Sequence, residues 1–445
     1  MAHELVIRGG TLVTPAGVVL ADLAVHDGRI AAIGRELAGG AQEIDASGLV
    51  VIPGIIDVHL HFNEPGRTEW EGAAAGSRAL AAGGGTVFFD MPLNSTPCTV
   101  NARELDRKRQ ALEASSITDF GLWGGLVPGS VGEMEELAAH GAVGFKAFMC
   151  DSGLPEFPRA DDMTLLDGLR EAARLGLPVA VHAESQSLTR AYAAAATGRD
   201  ARAFLASRPV LCELEAIQRA LLFAAETGAA LHIVHVSSGR GVAIAAKARA
   251  EGVDVSIETC PHYLFFTDAD LERLGAVAKC APPLRGAADR EELWQQIAAG
   301  SVDIVASDHS PTEPSRKAGE VVDAWGGIAG VQSTLSVLLD RGRHARALPL
   351  ERITHLLATT PARRFRLAGK GSLTPGNDAD VAVVDLERTH TLSTSDLQQR
   401  HKISPYIGST FRGTLRRTIR RGETIFADGH ITARTTGSFV RPSQS

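Results

Sequence analysis

The chain has 445 residues, too many for one small core, so a large domain with a smaller one is expected. Hydrophobic residues make up 44% and charged residues 22%, and the net charge of −7 without a Lys/Arg-rich block argues against a nucleic-acid partner. No apolar run is long enough to cross a bilayer, and MAHELVIRGGTLV shows no signal-peptide pattern. Five cysteines without CxxC spacing argue against a disulfide framework. We therefore expect a soluble, cytoplasmic protein with no membrane partner.

The two ends of the chain share one texture, in which short strand-like runs are separated by turns. LVIRGGTLVTPAG and VVLADLAVHDGRI alternate small apolar and polar residues, and Asp27-Gly28 favours a hairpin turn. The texture returns after about Gly369, and IRGGTLVTPAG near the start is echoed by IRRGETIFADG near the end. We predict that residues 1–53 and 369–445 together form a small β-sandwich domain.

Residues 54–368 alternate apolar strand-like runs with helical runs rich in Ala, Leu, Glu and Arg. Buried parallel strands read as continuous apolar runs, and helices usually connect them. Eight such repeats predict an α/β fold with a closed (β/α)₈ barrel as the catalytic domain. A doubly wound sheet is the alternative, but no GxGxxG follows the first strand. The predicted strands end at His61, Met91, Leu126, Phe148, Glu184, Ser237, Cys260 and His309.

Histidines gather at the C-terminal ends of these strands, where barrel enzymes place their sites. His59 and His61 close the first strand, and because side chains alternate along a strand, both imidazoles can reach one ion. Taken alone, this pair fits hydrogen-bonded histidines at the barrel mouth equally well. His182 and His235 end strands five and six, which favours a metal site. His232 lies deeper in strand six and is better explained by packing or by support of a ligand.

Asp308 and Lys146 are the remaining polar residues at strand ends. A carboxylate that emerges unpaired from the apolar run VASDHS is costly to bury, so a cation is a natural partner for Asp308. A capping or loop role is its alternative. Lys146, in AVGFKAFM, cannot ligate a metal as an ammonium, and such a lysine usually extends to solvent. A desolvated lysine can lose its proton and add CO₂ to give a carbamate, but the spacing does not indicate this.

The pattern HxH, then Lys, His, His and Asp on successive strands, flanked by split β segments, resembles the amidohydrolase superfamily over nearly the whole chain. It is most similar to the cyclic amidohydrolases, which comprise dihydroorotases, hydantoinases and allantoinases. The resemblance implies two divalent metal ions, with zinc expected first and cobalt, iron, nickel or manganese as alternatives. It also implies a small-molecule substrate and a homotetramer.

The resemblance further assigns the ligands of the two ions. His59 and His61 would bind the more buried ion, and the pair on strands five and six would bind the second. Lys146, as the CO₂-derived carbamate, would bridge the two ions. Asp308 would ligate the first ion and carry a proton during catalysis.

Within this group, several phrases resemble the allantoinases, and AWGGIAGVQ and HKISPYIG are the most distinctive. Asn63 stands where dihydroorotases carry an arginine that grips the substrate carboxylate, and allantoin has no carboxylate. Hydantoinases usually carry a tyrosine a few residues after the lysine, whereas Lys146 is followed by AFMCDSG. The resemblance therefore implies ring opening of (S)-allantoin to allantoate. A hydantoinase or dihydropyrimidinase, and a non-catalytic scaffold, are the alternatives.

Substrate contacts are also implied by the resemblance. Asn94 matches the asparagine of the dihydroorotase MPN phrase, although one residue intervenes here. The backbone around Ala281 and Gly326 aligns with main-chain groups that hold the ring in relatives. His262, in CPHY, could face the substrate from the end of strand seven, and Asn63 could contact it from the first loop. Loop roles are the alternatives for both asparagines and for His262.

Overall fold

The computed structural model describes residues 3–443, and its amino-terminal segment forms five strands. These strands are β1 (His3–Thr14), β2 (Gly17–His26), β3 (Arg29–Gly34), β4 (Gly40–Asp45) and β5 (Val50–Pro53). β1 pairs with β2 in antiparallel orientation and with β4 and β5 in parallel orientation. The predicted turn at Asp27 and Gly28 joins β2 to β3, with φ of 50° and 67°, a region that glycine adopts without strain.

Nine further strand segments make up the barrel. They are β6 (Ile55–Leu60), β7 (Gly85–Asp90), β8 (Asp119–Leu122), β9 (Gly124–Gly125), β10 (Phe145–Phe148), β11 (Val179–His182), β12 (Leu231–Ile233), β13 (Val255–Thr259) and β14 (Ile304–Val305). β6, β7 and β8 pair in parallel, as do β9 to β14 in chain order. Only Trp123 separates β8 from β9, so the two count as one barrel strand. A parallel bridge between Leu60 and His309 closes the ring of eight.

Side chains on the barrel strands alternate between two apolar clusters. Val87 and Phe89 pack in one cluster with Trp123, whereas Phe88 packs in the larger cluster that includes the helices. The Trp123 indole donates a hydrogen bond to the Val58 carbonyl at 2.9 Å. The barrel therefore has a packed interior, and its polar residues are left to the strand ends.

Helices connect successive barrel strands, and side-chain caps define several of their starts. Asn101, Asp161 and Ser238 each accept a backbone N–H at the first turn of the helix that begins at the next residue. None of the helices in the described residues is long and apolar enough to cross a membrane. The α-helices are α1 (Ala73–Ala82), α2 (Ala102–Ser115), α3 (Met134–Ala139), α4 (Asp162–Leu175), α5 (Gln186–Ala195), α6 (Ala201–Ser207), α7 (Val210–Thr227), α8 (Gly239–Ala250), α9 (Pro261–Phe265), α10 (Asp268–Leu274), α11 (Ala287–Ala298), α12 (Thr334–Val337), α13 (Leu350–Thr354) and α14 (Thr360–Arg364).

The carboxy-terminal segment returns to the first sheet. Its strands are β15 (Val381–Thr391), β16 (Thr410–Arg420), β17 (Glu423–Ala427) and β18 (His430–Ile431). β15 pairs with β5, which joins both ends of the chain in one nine-stranded sheet. Val25, Ile30, Val381 and Ile419 share one apolar cluster, so the sheet folds around its own core. The predicted class, a (β/α)₈ barrel with a β domain from both termini, is confirmed, and the boundaries 1–53, 54–368 and 369–445 stay a prediction.

Candidate metal centre

His59 and His61 converge with Asp308 at the mouth of the barrel. His59 lies in β6, His61 is the first residue after that strand, and Asp308 lies just beyond β14. The Asp308 Oδ1 atom is 3.3 Å from His59 Nε2 and 3.5 Å from His61 Nε2. Asp308 has a φ of 43°, a left-handed conformation that is uncommon outside glycine and concentrates at functional sites. One ligand atom from each residue lies within 4.8 Å of the others, which suits a single ion.

Glu258 fixes the orientation of this first pair. The Nδ1 of His59 donates to Glu258 Oε1 at 2.8 Å, which leaves Nε2 with its lone pair toward Asp308. The same carboxylate lies 3.0 Å from His232 Nε2 and accepts the backbone N–H of His235 at 3.1 Å. His232 therefore supports the ligand His59 through the shared carboxylate of Glu258, which agrees with its deeper position in the strand. The sequence analysis missed Glu258, although a carboxylate inside the apolar run VSIETC was the available signal.

The second pair, His182 and His235, comes from two neighbouring strands. His182 ends β11 and His235 follows β12, and their ring centroids are 4.7 Å apart. The His235 ring also lies 5.4 Å from that of His59, so the two pairs are adjacent. His235 has a φ of 40°, and its Nδ1 is buried without a partner in the described chain. Its imidazole is thus held by the backbone and keeps a nitrogen free.

Glu184 and Phe148 fix the second pair. The Nε2 of His182 donates to Glu184 at 2.8 Å, which leaves Nδ1 available. Glu184 also forms an ion pair with Arg208. Burial would raise the pKa of Glu184, but Arg208 and His182 outweigh it and hold this pKa at about 2. The Phe148 ring stacks on His182 with centroids 4.5 Å apart.

Lys146 lies inside β10, the strand that pairs with the His182 strand β11, and is 1% exposed. Its Nζ has no hydrogen-bond partner within residues 3–443 and lies 5.2 Å from the centroid of the Phe148 ring. Burial lowers the pKa of Lys146 to about 8, since an ammonium without acceptors is poorly solvated there. The neutral amine required for carbamate formation is therefore accessible near physiological pH.

The protonation states of the site suit divalent metal ions. Burial lowers the pKa values of His59, His182 and His235, which favours the neutral imidazoles that ligate metals. Burial would raise the pKa of Asp308, but the neighbouring histidines outweigh it and hold the value at about 2. Neutral imidazoles, an anionic carboxylate and a buried amine without a partner together fit the donor set that such ions require.

A cavity of about 470 Å³ opens above these residues, a volume suited to a small ligand. Asn94, Ala281 and Gly326 line it, and their contacts with the substrate stay a prediction. Asn63 and His262 are buried and are not among the residues that line it. Both ring nitrogens of His262 lack a partner in the described residues, and the substrate contacts of the two residues stay a prediction. Asn63 donates to the Pro311 carbonyl at 3.3 Å, and the His262 ring packs on that of its neighbour in sequence at 4.3 Å. Lining residues that the sequence analysis missed are Arg208, Lys279, Arg316, Asp323 and Trp325.

Comparison with known proteins places the chain. Residues 50–425 match the amidohydrolase family. The chain is 60% identical to an allantoinase from Solibacter usitatus, over 99% of this chain and 97% of that protein. An allantoinase from Rubrobacter xylanophilus is 57% identical, over 100% of this chain and 98% of that protein. An L-hydantoinase (dihydropyrimidinase) structure from Arthrobacter aurescens has a TM-score of 0.95 at 34% identity, covering 99% of this chain and 100% of that one. The chain therefore belongs to the amidohydrolase family.

Proposed function

We propose that this protein opens the hydantoin ring of (S)-allantoin to give allantoate, a step in the degradation of purine-derived ureides. The observation that carries the proposal is the full-length similarity to allantoinases, at 60% and 57% identity. The hydantoinase alternative is less supported, because the L-hydantoinase structure shares 34% identity. The strand-end set is also complete, with four histidines, a lysine and an aspartate, which speaks against a non-catalytic scaffold.

The donor set suits two divalent metal ions, with zinc as the first choice. Cobalt, iron, nickel and manganese accept the same imidazole and carboxylate ligands. When bound, the ions supply hydroxide near neutral pH and polarise the ring carbonyl. The residues that would hold them are His59, His61 and Asp308 for the first ion, His182 and His235 for the second, and the CO₂-derived carbamate of Lys146 between them.

Asp308 is the proton carrier of the proposed mechanism. Because its pKa is held at about 2, the carboxylate is anionic near neutral pH and can accept a proton from the attacking water. As the oxygen of water bonds to the ring carbonyl carbon, the C–N bond breaks. Asp308 then returns the proton to the departing ring nitrogen, because an amide anion is a poor leaving group.

Residues of the cavity wall hold the ring in this proposal. Asn94 supplies a side-chain amide, and Ala281 and Gly326 supply main-chain groups from two other loops. Asn63 and His262 are buried and do not line the cavity, and their contacts with the substrate stay a prediction. The chemistry requires no further cofactor once the ions and the carbamate are in place.

We also propose that the protein is a homotetramer in the cytoplasm. The exposed run Val18, Val19 and Leu20 at the start of β2 supports contacts between copies, since such apolar runs often mark interfaces. The negative net charge supports the absence of a nucleic-acid partner. Light scattering of the purified protein, coupled to size exclusion, measures the number of chains.

The decisive experiment is a substrate panel with bound metal quantified on the same sample. We expect the highest kcat/KM with (S)-allantoin, two ions per chain, and loss of activity with a chelator that metal restores. A higher kcat/KM for hydantoin or dihydrouracil would support the hydantoinase alternative. Absence of bound metal, together with no hydrolysis of allantoin, hydantoin, dihydrouracil or dihydroorotate, would support the scaffold.

A further inference from the structure

Two loops of the cavity wall are joined by buried lysine side chains. The strand-seven loop (residues 276–281) ends at Ala281, and the strand-eight loop (residues 322–327) contains Gly326, which both line the cavity. Neither loop contains a regular helix or strand over most of its length. Their positions therefore depend on specific contacts, and the side chains of Lys279 and Lys317 supply five hydrogen bonds to backbone carbonyls of these loops.

Lys317 binds both loops through one ammonium group. Its Nζ donates to the Ala276 carbonyl of the strand-seven loop at 3.0 Å. It also donates to the carbonyls of Trp325 and Gly327 in the strand-eight loop, at 2.9 and 2.5 Å. Burial lowers the pKa of Lys317 to about 7. Its charged form has three N–H donors, and the three carbonyls accept all of them.

Lys279 repeats the arrangement from the opposite direction. It belongs to the strand-seven loop, is 7% exposed, and its Nζ donates to the carbonyls of Val322 and Ala324 at 2.9 and 2.6 Å. Its own backbone carbonyl accepts the N–H of Gly327 at 2.9 Å. Lys279 thus binds the strand-eight loop at two carbonyls and one N–H, and Lys317 adds a bridge from the carbonyls of Trp325 and Gly327 to that of Ala276.

This bonding leaves one peptide edge free. In the strand-eight loop, the N–H and the carbonyl of both Trp325 and Gly327 are engaged. The N–H and the carbonyl of Gly326 have no partner within residues 3–443, and this residue faces the cavity. One donor and one acceptor side by side match the N–H and C=O of a ring amide.

We propose that Lys279 and Lys317 are positioning residues that hold the two loops as one wall and so present the peptide edge of Gly326 to the substrate ring. The identity of that ring rests on the proposed function. A wall that is already held in place does not have to be ordered when the substrate binds. The lysines therefore act on substrate affinity and on substrate placement. Both act through the backbone and neither is assigned a chemical step.

The test uses the variants Lys279→Met and Lys317→Met, their combination, and Lys402→Met as a control. Lys402 also donates to two backbone carbonyls, those of Leu397 and Gln399, but does not line the cavity. We expect KM for allantoin to rise about tenfold in each single variant, with a much smaller change in kcat and unchanged metal content. The combined variant should show less than the product of the single effects, because both lysines hold one wall.

Hydrogen exchange measures the wall independently of activity. We expect faster exchange in both loops of each wall variant but not in Lys402→Met, and Lys317→Arg should recover part of the lost affinity. Folded variants with full metal content, unchanged exchange in residues 276–281 and 322–327, and unchanged KM would overturn the proposal. If the wild type does not hydrolyse allantoin, the proposed function fails. The exchange result, with KM for whichever ring the wild type opens, then still decides the role of the lysines.

Discussion

The two histidine pairs of the site differ in what surrounds them. His59 and His61 come from one strand end and have the carboxylate of Asp308 within 3.5 Å of both. His182 and His235 come from two strands, and the carboxylate bonded to His182 is already paired with Arg208. The first pair therefore forms a three-ligand set with a negative charge, while the second pair offers neutral imidazoles only.

This difference indicates that the second half of the site, formed by His182 and His235, needs a further negative charge. A divalent cation held by two neutral imidazoles lacks the compensating charge that its desolvation requires. Lys146 offers a buried amine without a partner in the described residues, and its lowered pKa makes the neutral amine available. A carbamate there would add an anion, so the second half of the site would depend on a modification where the first has the carboxylate of Asp308.

Lys146→Ala should have the largest effect, because it removes the proposed anion of the second half. We expect kcat for allantoin to fall by about a thousandfold or more and the second ion to be lost, with the first ion retained more strongly. At pH 8, about half of an amine with a pKa of 8 is neutral, against about 0.3% for an ordinary lysine. Mass spectrometry of the intact wild type, with ¹³CO₂ in the buffer, should detect the labelled carbamate.

A short carboxylate added to Lys146→Ala is the matched control. Partial return of metal content and activity with acetate or propionate would show that an anion at this place is sufficient. Retention of both ions and of full allantoin hydrolysis in Lys146→Ala would contradict this difference between the two halves. The second half would then need no added charge, and the carbamate assignment would be abandoned.

A second pair of substitutions compares the carboxylates that orient the histidines of the two halves. Glu258 binds His59, His232 and the backbone of His235, whereas Glu184 binds His182 and Arg208. Groups that orient a metal-ligating histidine contribute about 10–100-fold to metal affinity. We expect Glu258→Gln to lower the affinity for both ions, since Glu258 contacts both halves. Glu184→Gln should lower only the affinity for the second ion.

Metal titration of the chelator-treated variants, with stoichiometry determined in each, measures this difference. Thermal unfolding of the metal-free proteins serves as the control for folding. If Glu184→Gln weakens both ions as much as Glu258→Gln does, the two halves are not separately supported. The difference between Glu258 and Glu184 in the ions they support would then be absent.

The parts of this site that were predictable from the sequence follow strand periodicity. His59 and His61 were predicted to face the same way because residues two apart on a strand do so, and both reach Asp308. Glu258 and Arg208 were not predicted, because their partners lie far along the chain and no local pattern marks a side chain that bonds a ligand. The barrel was recognisable from a different signal, because buried parallel strands read as continuous apolar runs.

Loop residues were predicted less well than strand ends, because a loop has no fixed period that sets the direction of a side chain. Asn94 and Asn63 were both expected to reach the substrate, yet only Asn94 lines the cavity. Asn63 turns away to bond the Pro311 carbonyl. Lys279 and Lys317 were missed, since lysines that bond backbone carbonyls leave no motif.

The smallest expected effect concerns these two asparagines, of which Asn63 belongs to the loop after the first histidine pair. Asn94→Ala should raise KM for allantoin a few-fold, because it removes a polar group from the cavity wall. Asn63→Ala should leave KM unchanged and lower the free energy of unfolding by about 1 kcal/mol, since it removes the bond to Pro311. Asn63 also has a φ of 62°, so Asn63→Gly should be less destabilised than Asn63→Ala. Steady-state kinetics and chemical denaturation measure both quantities, and a rise in KM for Asn63→Ala with unchanged stability would return Asn63 to the substrate site.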